Sequence, residues 1–517
     1  MRYIFICFLF LFSCSQSDDN LSIFKYNEVS GISTLDPVYS KDQATTWVAN
    51  QLFNGLVQLD SNLCVIPCIA KEWDISDDAL EYTFLLRDDV YFHYHETFDN
   101  PRKVISSDFQ YSFQRLIDEK IASPGAWVLN NVKDFYSIND TIFKIELYKP
   151  FPGFLSLLSM KYCSVVPCEI VETVNFNKTP IGTGPFVFQL WKDGVKLVLR
   201  RNANYFEKDS INLIPYLDAV SITFIKDKHS AFLKFIQGDL DLISGLDLSY
   251  KDDLLTKEGE LKRKHVNKIK LYSKSYLNVE YLGFLMHSPL PIDVRMAINH
   301  GFDRVKMIKY LRNNIGVPAL NGFIPLGMPS FSKDVHAYKY DKEYAIKLLN
   351  ESKFDLSQEI VIYTTSSYLD LCKFMQSQLA EIGLNLSIEV SPPSTHRQMV
   401  STSRLPFFRA SWIADYPDAE NYLSLFYSKN LSPKGPNYTH FSDPVYDSLY
   451  EYSLSQTNNS ERYINYQKMN QIIIDSAIIV PLYYDQALSF VQNNVYSYKI
   501  NAMNLLDLKR VKKVNSK

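Results

Sequence analysis

No Gly-x-Ser-x-Gly elbow, no His-Glu-x-x-His pair and no Walker loop occurs among the 517 residues. The short signatures of serine hydrolases, zinc peptidases and nucleotide hydrolases are therefore missing. Basic charge is not in excess: Lys and Arg total 54, Asp and Glu 57, for a formal net charge of −3. Nucleic-acid binding needs a basic surface to meet phosphates, so that class is disfavoured. Cysteine is sparse, with seven residues. The pairs Cys64/Cys68 and Cys163/Cys168 have no histidine pair following at finger spacing, which speaks against zinc. No Gly-Ser linker, low-complexity tract or internal repeat divides the chain, so its domains interleave rather than follow one another. The apolar run at the start, Tyr3 to Phe12, is about half the ~20 residues that a membrane-spanning helix needs.

That run follows Met1-Arg2, and the combination reads as a secretory signal. It ends Leu11-Phe12-Ser13-Cys14, which resembles the bacterial lipobox. The resemblance implies cleavage before Cys14, lipid on its sulfur, and a polar tether through Asn20. Of the remaining five cysteines, the two close pairs are either bridges, which export permits, or buried thiols. An odd number leaves one unpaired within the chain.

The composition is that of a globular protein, 46% apolar and 21% charged, with 35 tyrosines and 33 phenylalanines. Tyrosine combines a flat contact face with a polar tip and suits recognition surfaces, although most of these residues belong to the core. Strand and helix signals alternate along most of the chain. Phe24–Val29, Val195–Arg200 and Val220–Ile225 read as strands; Thr45–Asn54, Ser107–Ile121 and Ala231–Gln237 read as helices, with Ser106 or Ser107 capping the second and Gly238 closing the third. Further on, Asp341 caps a helix over Lys342–Asn350. Glu359–Thr364 is a strand, Tyr368–Ile382 a helix ended by Gly383, and Leu384–Val390 a strand. This β-α-β order predicts parallel strands covered by helices.

Two small motifs carry little chemistry. Gly182-Thr183-Gly184-Pro185-Phe186 lacks the third glycine and the following helix of a phosphate cradle, so it reads as a structural turn. His93 and His95 would share a face on a strand, as metal ligands can, but paired surface histidines are the commoner case. No cofactor and no metal is expected. The stretch Ser411–Leu423, SWIADYPDAENYL, raises a sharper question. It sets Asp415 beside Trp412 and Tyr416, where an ionised carboxylate needs a partner. That partner is either internal, with Arg409 the candidate, or comes from outside.

Eight segments in order bear on the answer. They are STLDP (33–37), LFNGL (52–56), IAKEWDISDDALEYTFLLRDDVYFH (69–93), PIGTGPF (180–186), LRRNANYF (199–206), FIQGDLDLI (235–243), DVRMAINHGFDRVKMI (293–308) and WIADYPDAENYL (412–423). Together they resemble the extracytoplasmic oligopeptide- and dipeptide-binding proteins of ABC importers, family 5 of the bacterial solute-binding proteins. The resemblance covers nearly all of the chain after the signal. It implies an α/β fold, a two-lobed periplasmic-binding-protein (type II) clamp with an inserted domain and mixed sheets covered by helices. Laid on this chain it gives a signal at 1–13, a lipidated tether at 14–20, and lobe I from 21–53, 178–277 and 485–517. It places an extra domain at 54–177 and lobe II at 278–484.

The function it implies is capture, not catalysis. A peptide lies between the lobes and is passed to permease subunits by a monomeric receptor held at the membrane only through its lipid. Asp415 matches the family acid that holds the peptide's ammonium group. Arg409, Ser411, Trp412, Ile413 and Tyr416 would line the pocket, with Ser411 and Ile413 offering backbone groups. Lys41, Asp42 and Gln43 stand where the family pairs with the peptide backbone, but without the acid-glycine pair of the best-known oligopeptide binders, which leaves peptide length open. Other readings of the same fold are a cell-wall peptide, a diamino acid or a metal chelate as ligand; a surface adhesin or a secreted peptidase would use it differently.

Overall fold

The computed structural model describes residues 21–209, 212–247, 249–287 and 290–514. The expected signal, Cys14 and its tether lie outside the described residues. Among the described residues no helix is long and apolar enough to cross a membrane.

Aspartates start many of the helices. The carboxylates of Asp42, Asp227, Asp303, Asp341 and Asp443 each accept a backbone N–H from the first turn of the helix that follows. Such a cap satisfies a donor that the helix itself leaves unpaired, and is worth about 1 kcal/mol. Gly238 closes helix Lys228–Gln237 in the left-handed region at φ 87°, where a side chain would be strained. One expected cap is absent. Helix Ser106–Ile117 has no serine cap: Ser106 lies inside it with its hydroxyl on the Asn139 carbonyl, and Asp108 reaches back to the Ile105 N–H at 2.8 Å. The acid is held there by Arg102, at 2.6 Å.

Eleven strands form one mixed sheet. Two long antiparallel strands, Ile269–Phe284 and Ile479–Gln492, sit at its middle. Their register breaks between Ser275 and Val279. On one side of the break, Ile269–Ser275 pairs with Gln486–Gln492, and the sheet continues through Leu242–Ser244, Ile23–Asn27, Ala219–Thr223, Lys196–Arg201 and Phe186–Lys192. On the other side, the strand Phe407–Ile413 follows, then the parallel pair Ile360–Thr364 and Leu386–Val390. The helix Leu369–Ala380 links that pair, as the β-α-β pattern predicts. Tyr368 falls in a short 3-10 turn ahead of that helix.

A separate four-stranded antiparallel sheet is built from Ala70–Ile75, Glu81–Leu86, Ile142–Leu147 and Val132–Asn139. Helix Ser106–Ile117 lies on it, with Phe109 and Phe113 against Phe143 and Phe135. Its core is continuous with that of the strands around Phe24 and Leu197. The Gly182–Phe186 turn ties these parts together. A Cβ at Gly182 would sit 2.0 Å from the Leu52 carbonyl oxygen, and one at Gly184 2.4 Å from that of Gln51. Only glycine lets this turn close on the end of helix Gln43–Leu52. Buried His93 hydrogen-bonds the same turn through the Gly184 carbonyl at 2.9 Å, so it acts as a packing residue. The five described cysteines are free, so the pairs Cys64/Cys68 and Cys163/Cys168 are not bridged. Burial pushes the Cys68 thiol up to about 11 and that of Cys163 to about 12, which keeps both protonated.

Candidate binding cleft

The strand Phe407–Ile413 delivers Asp415 to the cleft. It pairs along its length with Asn278–Phe284, and the Ala414 N–H continues the ladder to the Leu277 carbonyl at 2.9 Å. Its other edge meets Ile360–Thr364 only at Phe408. Beyond that point, the Arg409 carbonyl turns outward to the His396 ring at 2.8 Å. Backbone groups alternate in direction along an antiparallel strand, so those of Ser411 and Ile413 point outward as well. They are open to an incoming extended chain.

Asn421 sets the acid itself. Its amide oxygen accepts from the Trp412 indole at 2.9 Å and the Asp415 N–H at 3.1 Å; its NH₂ donates to the Asp415 carboxylate at 3.2 Å. Asp415 remains exposed to the cleft, yet protein crowds it, and this desolvation raises its pKa above the usual aspartate range. Among the described residues no base pairs with it. Arg409 in particular does not. It is engaged by Glu280 and lies over the Tyr368 ring at 3.2 Å, away from both cavities that meet at Asp415. The expectation that Arg409 lines the pocket or orients Asp415 is thereby corrected.

The first cavity, about 380 Å³, brings Lys41, Asp42, Gln43, Ile413 and Asp415 together. The Asp42 carboxylate is occupied as a helix cap, by the Thr45 N–H at 2.9 Å. Lys41 is exposed and makes no ion pair among the described residues. Among the lining residues that escaped the sequence reading are Lys161 and Tyr162. Burial lowers the Lys161 pKa, and its ammonium has no acceptor or counter-ion among the described residues. Its only trace in the sequence is a lone base in the apolar stretch Phe154–Val166. The Tyr162 ring lies flat over Gly125, where a Cβ would come within 2.3 Å of it. Burial pushes its phenol pKa up, with Asp415 adding to the shift.

The second cavity, about 550 Å³, is lined by Trp412, Asp415 and Tyr416 on one side and Trp127, Lys149 and Phe151 on the other. Trp412 and Ile413 thus serve different cavities, because successive strand residues point to opposite faces. Tyr416 is 4% exposed; its ring meets Phe151 and Trp127 at 6.3 and 6.4 Å, and its hydroxyl donates to Glu420. Ser411 lines neither cavity and has only its outward backbone groups to offer. Lys41 to Gln43 and Asp415 come from opposite sides of the register break at Ser275–Val279. Among the described residues no group of three or more His, Cys, Asp or Glu is placed to hold a metal ion.

Charges that make no ion pair among the described residues and the outward edge of the strand Phe407–Ile413 thus lie together at this cleft. Comparison with known proteins places it. The chain is 26% identical over 503 residues to the probable di/tripeptide-binding protein 5 of Pseudomonas aeruginosa, covering 92% of each. It is 26% identical over 465 residues to heme-binding protein A of Haemophilus influenzae, covering 84% of this chain and 82% of the relative. Its fold matches the periplasmic binding protein DppA of Helicobacter pylori, solved in complex with the peptide STSA, at a TM-score of 0.79 and 24% identity over 95% of this chain and 98% of the other. The family model described as bacterial extracellular solute-binding proteins, family 5 Middle, matches residues 65–433. The chain, a two-lobed α/β clamp, belongs to the bacterial extracellular solute-binding proteins of family 5.

Proposed function

We propose that the chain is the extracytoplasmic receptor of an ABC importer, a lipoprotein anchored through Cys14 that captures short peptides between its lobes and passes them to a permease. Lobe I comprises 21–53, 178–277 and 485–517, the extra domain 54–177 and lobe II 278–484. The protein works by binding and release, without making or breaking a bond. One observation carries this reading: Asp415 and Lys161 line the same cavity, are opposite in charge, and neither makes an ion pair among the described residues. A buried charge is tolerable when a partner meets it. A peptide brings an ammonium group for Asp415, a carboxylate for Lys161, and a backbone for the outward edge of Ser411 and Ile413.

Calorimetric titration with trialanine, N-acetyl-trialanine and trialanine amide tests the assignment. Each capped peptide loses one of the two charges and binds at least about tenfold more weakly, since a charge-assisted contact is worth about 1.5–3 kcal/mol. In Lys161→Met the free-acid and amide peptides bind alike. Equal binding of all three peptides to the unaltered protein removes peptide termini from this cavity. The anchor is tested separately: Cys14→Ala should be released from membranes or left unprocessed, and a variant that stays membrane-bound and is normally processed would show that Cys14 is not the lipidated residue.

A further inference from the structure

The second cavity holds an acid that the capture of peptide termini does not use. Glu420 lines it and is 7% exposed. Its two carboxylate oxygens accept from the Tyr416 and Tyr450 hydroxyls, one phenol on each. A carboxylate offers about four lone-pair sites, so each oxygen keeps one free. No cation forms an ion pair with it among the described residues. The nearby guanidinium of Arg462 is taken by Asp418 at 2.6 Å. The only base lining the cavity, Lys149, is exposed and makes no ion pair among the described residues. The walls are aromatic: Trp127 and Phe151 from one side, Trp412 and Tyr450 from the other. Ring faces carry negative potential and attract cations, so the walls and the acid favour the same guest.

We propose that this cavity receives the cationic side chain of the ligand's first residue, a lysine, arginine or diamino acid, with Glu420 as its counter-charge. The inference rests on the peptide reading and adds a side-chain preference to it. The first residue is singled out because Asp415, assigned to the ligand's ammonium group, lines both cavities. A neutral aromatic side chain would fill the same walls but leave the Glu420 carboxylate buried without a cation.

The experiment is a calorimetric comparison of Lys-Ala-Ala with norleucine-Ala-Ala, which has the same stem without the amine, on the unaltered protein and on Glu420→Gln. The unaltered protein should prefer the lysine peptide by about tenfold or more, the worth of one charge-assisted contact. Glu420→Gln should lose that preference and bind the norleucine peptide at least as well as the unaltered protein, since the variant has no carboxylate to leave buried without a cation. Norleucine binding also reports that the variant is folded. Should the variant fail to fold, the preference of the unaltered protein still decides. Equal or tighter binding of norleucine overturns the cation site and leaves the peptide reading standing. Failure of both these peptides and trialanine to bind overturns both.

Discussion

Arg409 and Glu280 form a buried ion pair across neighbouring strands. Arg409 stands opposite Leu282 in the ladder, so Glu280 is its diagonal neighbour on the same face. The side chains are 12% and 3% exposed, and Tyr368 and Asn278 donate to the same glutamate at 3.3 and 3.1 Å. The two charges are paired with each other, although Arg409 Nε is buried without a hydrogen-bond partner, so Arg409 is not the counter-charge of Asp415, six residues along the chain.

Removing one partner of such a pair strands the other and costs about 3–5 kcal/mol. Arg409→Met is therefore expected to lower the denaturation midpoint clearly, with peptide affinity nearly unchanged in the protein that remains folded. The double variant Arg409→Met, Glu280→Leu removes both charges together and should recover most of the loss. Chemical denaturation of the three proteins checks this. A double variant as unstable as the single one would mean that the pair contributes more than charge neutralisation.

Tyr416 bridges two parts of the fold. It follows the strand Phe407–Ile413, yet packs within the core that includes Phe151 and the four-stranded sheet. A Cβ at Gly153 would approach its ring to 3.4 Å, so the fit is close. Opening the cleft must unpack this ring. Replacing a well-packed aromatic with alanine costs about 3–5 kcal/mol, here charged to the closed form alone. In Tyr416→Ala the ligand-free protein should have a larger radius of gyration by X-ray scattering, and saturating peptide should bring it back. An unchanged radius would show that Tyr416 does not hold the lobes together.

The sequence made the fold legible where local chemistry decides it. The β-α-β unit at 360–390 and the Asp341 and Gly238 caps needed only periodicity and capping residues. Ser106 misled because Arg102 and Asp108, brought together by the fold, took over the start of that helix. Asp415 stood out in the sequence because a carboxylate among aromatics is anomalous by itself. Its surroundings did not. Whether Arg409 met Asp415 or Glu280 depended on a strand more than a hundred residues away. The role of Asn421 depends on a turn that folds it back under Trp412. Lys161 and Glu420 become visible as unpaired charges only after every other nearby charge has found its partner.

Binding should weaken in acid sooner than an ordinary aspartate would imply. Desolvation raises the Asp415 pKa in the ligand-free protein, so the carboxylate takes up its proton at a higher pH than usual. A bound ammonium favours the ionised form and lowers that pKa. Binding is thus coupled to proton release: affinity is full above the raised value and falls as pH drops through it. Calorimetry in buffers of different ionisation enthalpy, at pH values stepping down from neutrality, should show proton release growing as affinity declines. Asp415→Asn should flatten this dependence, and an N-acetylated peptide should show little of it on the unaltered protein.

The decisive prediction concerns Asp415 and the ligand's ammonium group together. Asp415→Asn keeps the shape and can keep the hydrogen bond to Asn421, so the protein should fold with normal stability. The charge is what it lacks. If the two groups meet in the closed cleft, stranding the ammonium costs about 3–5 kcal/mol. Affinity for a free-amine peptide then falls by roughly two to three and a half decades, at about 1.4 kcal/mol for each. Acetylating the peptide should damage binding to the unaltered protein to a similar degree. Made together, the two changes should cost far less than their sum, because both remove one contact. The internal pairing of Arg409 with Glu280 sharpens the test, since Asp415→Asn leaves that pair intact and so should not alter folding. Four titrations, two proteins by two peptides, give the coupling directly. A folded Asp415→Asn protein that binds the free-amine peptide at unaltered affinity would remove Asp415 from the site.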